Sequence, residues 1–145
     1  MTPKQILEQW IDAFNKADAE TISTLYSDDA VNHQVTNEAV RGKAAITEMF
    51  TKEFAAAEMV CIPENIFEDG EWAILEWKDP KGLRGCGFFK IQNDKIVFQR
   101  GYWDKLSTDG KIDQPLVPAP WGDQFGMLTD KFGIRWMVNI AARKE

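Results

Sequence analysis

Three short polar turns divide residues 59–106 into four apolar runs of strand length. The turns are Glu68-Asp69-Gly70, Asp79-Pro80-Lys81-Gly82 and Gln92-Asn93-Asp94. Gly, Pro, Asn and Asp favour tight reversals of the chain. The runs they bound, 59–67, 71–78, 83–91 and 95–106, are therefore predicted to be successive strands of a bent antiparallel sheet. Such a sheet has one face that needs cover, and the upstream sequence supplies it.

Thr2 is placed to cap a helix whose first turn tolerates Pro3. Ile6, Leu7, Trp10, Ile11 and Phe14 then recur at three- and four-residue spacing, which predicts an amphipathic helix over 3–16. A second helix over 18–26 turns Ile22 and Leu25 inward and ends at the polar turn Ser27-Asp28-Asp29. A short strand carries Asn32 and His33, the only histidine in the chain. Arg41-Gly42-Lys43 opens a third helix over 42–57, with Ile46, Met49, Phe50 and Phe54 on its apolar side. Helices segregated before a run of strands make an α+β layout.

This order, with the strand Ile96-Val97-Phe98-Gln99-Arg100-Gly101-Tyr102-Trp103-Asp104, resembles the SnoaL-like branch of the nuclear transport factor 2-like superfamily over residues 3–106. The resemblance implies a cone: three N-terminal helices packed in a bent antiparallel sheet, the fold of ketosteroid isomerase and limonene epoxide hydrolase. That fold hosts enzymes, binding proteins and partner domains alike. Residues 107–120, with Pro115, Pro118 and Pro120, read as a linker or extended crossing segment. Residues 121–140 read as two strands around Asp130-Lys131-Phe132-Gly133, a pattern that resembles the last hairpin of glyoxalase-like (vicinal oxygen chelate) proteins. The expected organisation is a SnoaL-like domain over 1–110, then a Pro-rich linker and C-terminal β-hairpin over 111–145 docked on that domain or on a dimer partner.

Composition narrows the partners. A net charge of −6 and scattered basic residues argue against nucleic acid and against an acidic membrane surface. An aromatic content of 12%, including six Trp, is enough to fill a core and line a cavity. Cys61 and Cys86 sit in apolar runs and read as buried free thiols. One histidine and two isolated cysteines show no metal-ligand spacing, so neither a metal nor another cofactor is expected. The first ten residues are polar and amphipathic rather than a leader or membrane span, which makes a cytoplasmic protein the expectation.

A turn at 79–82 pairs Glu76 with Arg84 and Trp77 with Leu83, so Trp72, Ile74, Glu76, Arg84, Cys86 and Phe88 share one face. A two-residue turn at Asn93-Asp94 adds Val97, Gln99, Gly101 and Trp103 to it. This mixed face is the expected pocket. The opposite face, with Leu75, Trp77, Phe89 and Phe98, is almost wholly apolar and should be covered by a second subunit or by the tail. His33 and Glu76 are the candidate acid–base residues, and Trp10, Arg84, Cys86, Gln99 and Trp103 the candidate ligand-binding residues.

The resemblance also shows what is missing. Ketosteroid isomerase carries a tyrosine acid near the position of Trp10, and indole cannot replace a phenol there. Limonene epoxide hydrolase-like enzymes place a carboxylate where Gly101 stands. The expected function is binding of a small hydrophobic molecule by a homodimer, extended to isomerase or cyclase chemistry through His33 and Glu76. The rival expectation is a non-catalytic dimeric binding or interaction protein with a vestigial pocket.

Overall fold

The computed structural model describes residues 1–35, 37–103, 111–129 and 133–140, in two compact units, Met1–Trp103 and Asp104–Glu145. In the first unit α1 (Pro3–Asn15) starts at a reciprocal capping box. The Gln5 N–H donates to Thr2 Oγ1 at 3.3 Å and the Thr2 N–H to Gln5 Oε1 at 2.9 Å. Asp18 caps α2 (Ala19–Leu25) by accepting from the Thr21 N–H at 2.9 Å. β1 (Tyr26–Gln34) and the two-residue β2 (Val40–Arg41) come next. α3 (Lys43–Ala56) then follows Gly42, whose φ of 87° lies in the region that favours glycine. The meander is β3 (Ile62–Asp69), β4 (Trp72–Lys78), β5 (Arg84–Gln92) and β6 (Lys95–Trp103), and the sheet order is β2-β1-β6-β5-β4-β3. β1 runs parallel to β6, while the other neighbours are antiparallel.

The polar run Ser27-Asp28-Asp29, expected as a turn, instead lies inside β1, where the register slips between Tyr26 and Val31. Asp28 and Asp29 are exposed there, and Asp28 meets Lys43 at 2.7 Å. The slip lets the strand begin at Tyr26, whose side chain is fully buried.

Two details of the meander change the expected register. The Asp79 carboxylate accepts from the Lys81 and Leu83 N–H groups, each at 2.8 Å, and closes a longer loop than predicted. Lys78 therefore pairs with Arg84, Trp77 with Gly85 and Glu76 with Cys86. This shift of two residues leaves the faces unchanged. The second detail reverses them. Ile91 pairs with Ile96 but Lys90 with Phe98, so Val97 is an extra residue bulged out of β6. Gln99 and Gly101 consequently share a face with Phe89 and Leu75, while Phe98, Arg100 and Tyr102 join Phe88, Cys86 and Glu76.

Inside and outside are also exchanged relative to expectation. Ala73, Leu75, Phe89, Ile91 and Ile96 belong to one buried core with Ile6, Leu7, Trp10, Ile22, Ile46 and Phe50 of the helices, and Trp77 packs against it. The apolar face predicted to need a second subunit or the tail is thus covered, at Leu75, Trp77 and Phe89, by the chain's own helices, and Phe98, expected there, lies on the outer face. The face predicted to be the pocket is the outer one.

The second unit is a three-stranded antiparallel sheet, β7 (Lys111–Pro118), β8 (Gln124–Thr129) and β9 (Arg135–Ile140), in that order. The predicted hairpin is β8–β9, with Met127 opposite Met137. The segment expected as a linker is its third strand. Proline is tolerated on an edge strand and at bulges, and β7 is such a strand, irregular on both sides of Gln114. Of the predicted central turn, 130–132 lie outside the described residues.

Candidate functional site

The inward side of the first unit holds a buried polar network. Tyr26 at the start of β1 donates its hydroxyl proton to Gln99 Oε1 on β6 and accepts the Trp10 indole N–H at 3.0 Å. Asn32 Nδ2 donates to the same Gln99 oxygen at 3.1 Å, and Gln34 Nε2 donates to Asn32 Oδ1 at 2.9 Å. Asn32 and Gln99 are 1% and 4% exposed, so these bonds form away from water. Gln34 fills the space left by the missing side chain of Gly101, where a Cβ would fall within 3.0 Å of its amide. The network is neutral throughout. Burial raises the Tyr26 phenol well above its ordinary pKa, and the nearby Glu53 charge adds to this, so Tyr26 stays a proton donor.

Aromatic rings fill the rest of the interior. Trp10 stacks on Phe14 at 4.9 Å and meets Phe89 and Phe50 edge-on at 5.2 and 6.1 Å. The series continues outward through Phe54, 5.4 Å from Phe14 and 5.7 Å from Phe50. Phe54 also lines a cleft of about 500 Å³ between the end of α1 (Asn15, Lys16, Ala17) and residues 55–60 after it on α3 and the following loop. Asn15 holds that edge together. Its amide donates to the Cys61 carbonyl at 2.9 Å and accepts the Cys61 N–H at 2.7 Å. Burial pushes the Cys61 thiol up to about 12, so it is no nucleophile near neutral pH.

Glu53 neighbours Phe54 and was not singled out by the sequence reading. It is half-buried, its carboxyl has no hydrogen-bond or ion-pair partner among the described residues, and burial raises its pKa. Its position was legible, since Ile46, Met49, Phe50, Glu53 and Phe54 follow one helical stripe. A carboxyl with a raised folded pKa contributes stability below its unfolded value of about 4.3 and loses it as pH rises through the folded value. Glu53→Gln is therefore expected to raise the thermal midpoint at pH 7 and to leave it unchanged below about pH 4. Calorimetry at both pH values checks this, and an equal shift at both would mean that ionisation of Glu53 is not penalised.

The structure brings only part of the predicted site together. Trp10 and Gln99 meet through Tyr26 on the inner side. Glu76, Arg84 and Cys86 lie on the outer side of the sheet. Arg84 does not pair with Glu76: it bonds Glu64 at 2.9 Å, and Glu76 receives the Asn65 amide at 2.8 Å. Glu64 is the extra residue where the β3–β4 register shifts, which lets it also meet Lys78 at 3.2 Å. Those two cations hold its carboxyl below the ordinary range. Cys86 is half-buried, and burial followed by the Glu76 charge raises its pKa. His33 is level with Arg100 across β1–β6, on the face opposite Asn32. Three strand spacings, roughly 14 Å, separate His33 from Glu76. Trp103 ends β6 opposite Gly85, and its side chain lies outside the described residues. Among the described residues no cluster of three His, Cys, Asp or Glu side chains is arranged to hold a metal ion, and no helix is long and apolar enough to cross a membrane.

Comparison with known proteins agrees with the fold. Protein YjdN of Escherichia coli (strain K12) is 31% identical over 67 residues, which are 45% of this chain and 46% of that protein. The chain thus matches less than half the length of that curated relative. A protein from Sinorhizobium meliloti, assigned as a polyketide cyclase, superposes with a TM-score of 0.62 at 21% identity, over 68% of this chain and 94% of its own. An LEH-like epoxide hydrolase from M. tuberculosis gives a TM-score of 0.61 at 21% identity, over 69% and 80%. At these identities the likeness is one of fold. Residues 7–99, most of the helical layer and the meander, match the family model of the SnoaL-like domain, and the chain belongs to that family.

Proposed function

We propose that this chain binds a small, largely apolar molecule in the cleft between the ends of α1 and α3, and that it does so as a homodimer. The floor of the cleft carries the proposal. Phe54 extends the internal ring series to the surface, and Ala55, Ala57, Met59 and Val60 add apolar groups to a mixed lining whose polar part includes Asn15, Lys16 and Glu58. The volume of about 500 Å³ is in the usual ligand-pocket range of roughly 300–1,000 Å³. Small-molecule chemistry among relatives of the same fold, a cyclase and an epoxide hydrolase by name, supports the reading. The homodimer is supported by the outer face of the sheet, where Phe67, Trp72 and Tyr102 are 54%, 38% and 44% exposed.

Ala57 is exposed and extended, so a larger side chain fits its backbone and fills the cleft. Ala57→Phe is expected to weaken binding of apolar ketones of steroid or polyketide size at least tenfold, with an unchanged unfolding midpoint. Equilibrium dialysis reads the affinity. Wild-type protein that binds none of them, or a variant that binds equally well, rejects the cleft.

Acid–base isomerisation or cyclisation is favoured by one observation, the half-buried Glu53 carboxyl, which does not line the cleft but lies close enough to the interior for its charge to act on the Tyr26 phenol. The neutral Tyr26–Asn32–Gln99 network supplies orientation and hydrogen bonds but no base. On this reading a proton-transfer role rests on Glu53, and the pair expected from sequence, His33 and Glu76, serves the outer face.

A further inference from the structure

The cleft is built where two helices, α1 and α3, reach their C-terminal ends. Aligned peptide dipoles leave partial negative charge at such an end, which favours cations there. Neither last turn carries a basic residue. The end of α1 is closed by its own chain: the carbonyls of Asp12, Ala13 and Phe14 accept the N–H groups of Lys16, Asp18 and Ala17 at 3.2, 3.0 and 3.0 Å. The end of α3 is not closed in this way. Ala57 leaves the helix extended, with a φ of −154°, and its N–H donates to the Glu53 carbonyl at 3.1 Å. The carbonyls of Phe54, Ala55 and Ala56 are left without a hydrogen-bond donor among the described residues, and all three residues line the cleft.

Side-chain charge has the same sign. Lys16, in the lining, is tied to Asp12 at 2.7 Å, and Lys52, just before the last turn of α3, to Glu48 at 2.6 Å. Glu58, also in the lining, is exposed and has no cation in ion-pair range among the described residues. Residues 58–60 bring one backbone donor and one acceptor each, so they leave the balance unchanged. Open carbonyls and an unmatched carboxylate thus stand beside the Phe54 ring and the side chains of Met59 and Val60. A neutral apolar guest fills those walls but offers the carbonyls no charge and an anion is repelled, whereas an ammonium donates to the carbonyls and is attracted to the face of an aromatic ring. We propose that the guest of this cleft is an organic cation, a protonated amine on a bulky apolar body, with its ammonium at the C-terminal end of α3 and its body against Phe54. This rests on the cleft proposed above as the ligand site and names the charge of what it takes.

Adamantylamine and adamantanol share one rigid apolar body and differ in charge at pH 7, so the pair isolates the ammonium. Equilibrium dialysis is expected to show the amine bound about tenfold or more tighter than the alcohol. That ratio is expected to fall severalfold between about 0.01 M and 1 M salt, as the Debye length drops from roughly 30 to 3 Å. Glu58→Lys puts a cation into the lining and is expected to bring the ratio to about threefold or less, and Glu58→Gln to an intermediate value. Circular dichroism verifies the fold of each variant, and Glu58→Gln with the salt series serves if Glu58→Lys does not fold. Ala57→Phe is expected to weaken both compounds. Equal binding of the two, with both weakened by Ala57→Phe, overturns the cation and leaves the cleft. A preference for the amine that neither salt nor the Glu58 variants alter also overturns the cation, because the ammonium then lies elsewhere. Binding of neither compound, or binding that Ala57→Phe leaves unchanged, overturns the cleft and the cation together.

Discussion

Replacing Phe50 with alanine is expected to lower the stability of the first unit by about 3–5 kcal/mol, the usual cost of emptying a buried phenylalanine site. The ring is 3% exposed and touches three elements at once. It meets Trp10 of α1 at 6.1 Å, Phe14 at 6.3 Å, Tyr26 of β1 at 6.3 Å and Phe54 of its own helix at 5.7 Å. Because these neighbours are large rings, they cannot collapse into the void without leaving their own contacts. In a unit of this size each kcal/mol moves the midpoint by roughly 4–8 °C, so a fall of more than 10 °C is expected. Chemical denaturation followed by Trp fluorescence checks the free energy. A loss below about 1 kcal/mol would show that the helical layer is held by something other than the ring series.

Gln99→Leu is expected to cost about 2–4 kcal/mol, although the side chains are similar in size. Gln99 Oε1 accepts from both the Tyr26 hydroxyl and the Asn32 amide, so the leucine strands two buried donors at roughly 1–3 kcal/mol each. The double variant Asn32→Leu, Gln99→Leu removes one of those donors and should be less destabilised than the sum of the two single variants. Urea titrations of all three proteins measure the coupling. Additive costs would mean that Asn32 and Gln99 do not share a bond, and an unaffected Gln99→Leu would mean that water reaches the network.

The helices and the order of strands were legible because local chemistry carries them. The stripe Ile6, Leu7, Trp10, Ile11, Phe14 has one face, and the core takes it. Asn93 and Asp94 both adopt positive φ, as a two-residue hairpin turn requires. What the sequence does not show is which side of the sheet the helices choose. That is decided where Ala73, Leu75, Phe89 and Ile91 join the helices in one core, and for β6 by the extra residue Val97, which does not change the apolar pattern enough to be seen. The polar core was hidden for a related reason. Gln99 is 67 residues from Asn32 and 73 from Tyr26, so only the β1–β6 pairing brings them together. Pro115 and Pro118 carry no strand signal, so β7 read as a linker until β8 was seen to pair with it.

The bulge at Val97 also bears on how roles are carried between relatives in an alignment. A relative that lacks this one residue keeps the same inward set, because Lys90 still meets the residue corresponding to Phe98. A relative of equal length with a regular ladder presents the opposite set, exchanging the positions of Gln99 and Gly101 for those of Arg100 and Tyr102. A single gap, placed or omitted at residue 97, therefore decides whether an aligned carboxylate lies over the helices or on the far side of the sheet. Making or removing the bulge at constant chain length thus exchanges the β6 side chains that face the helices, with every strand still in place.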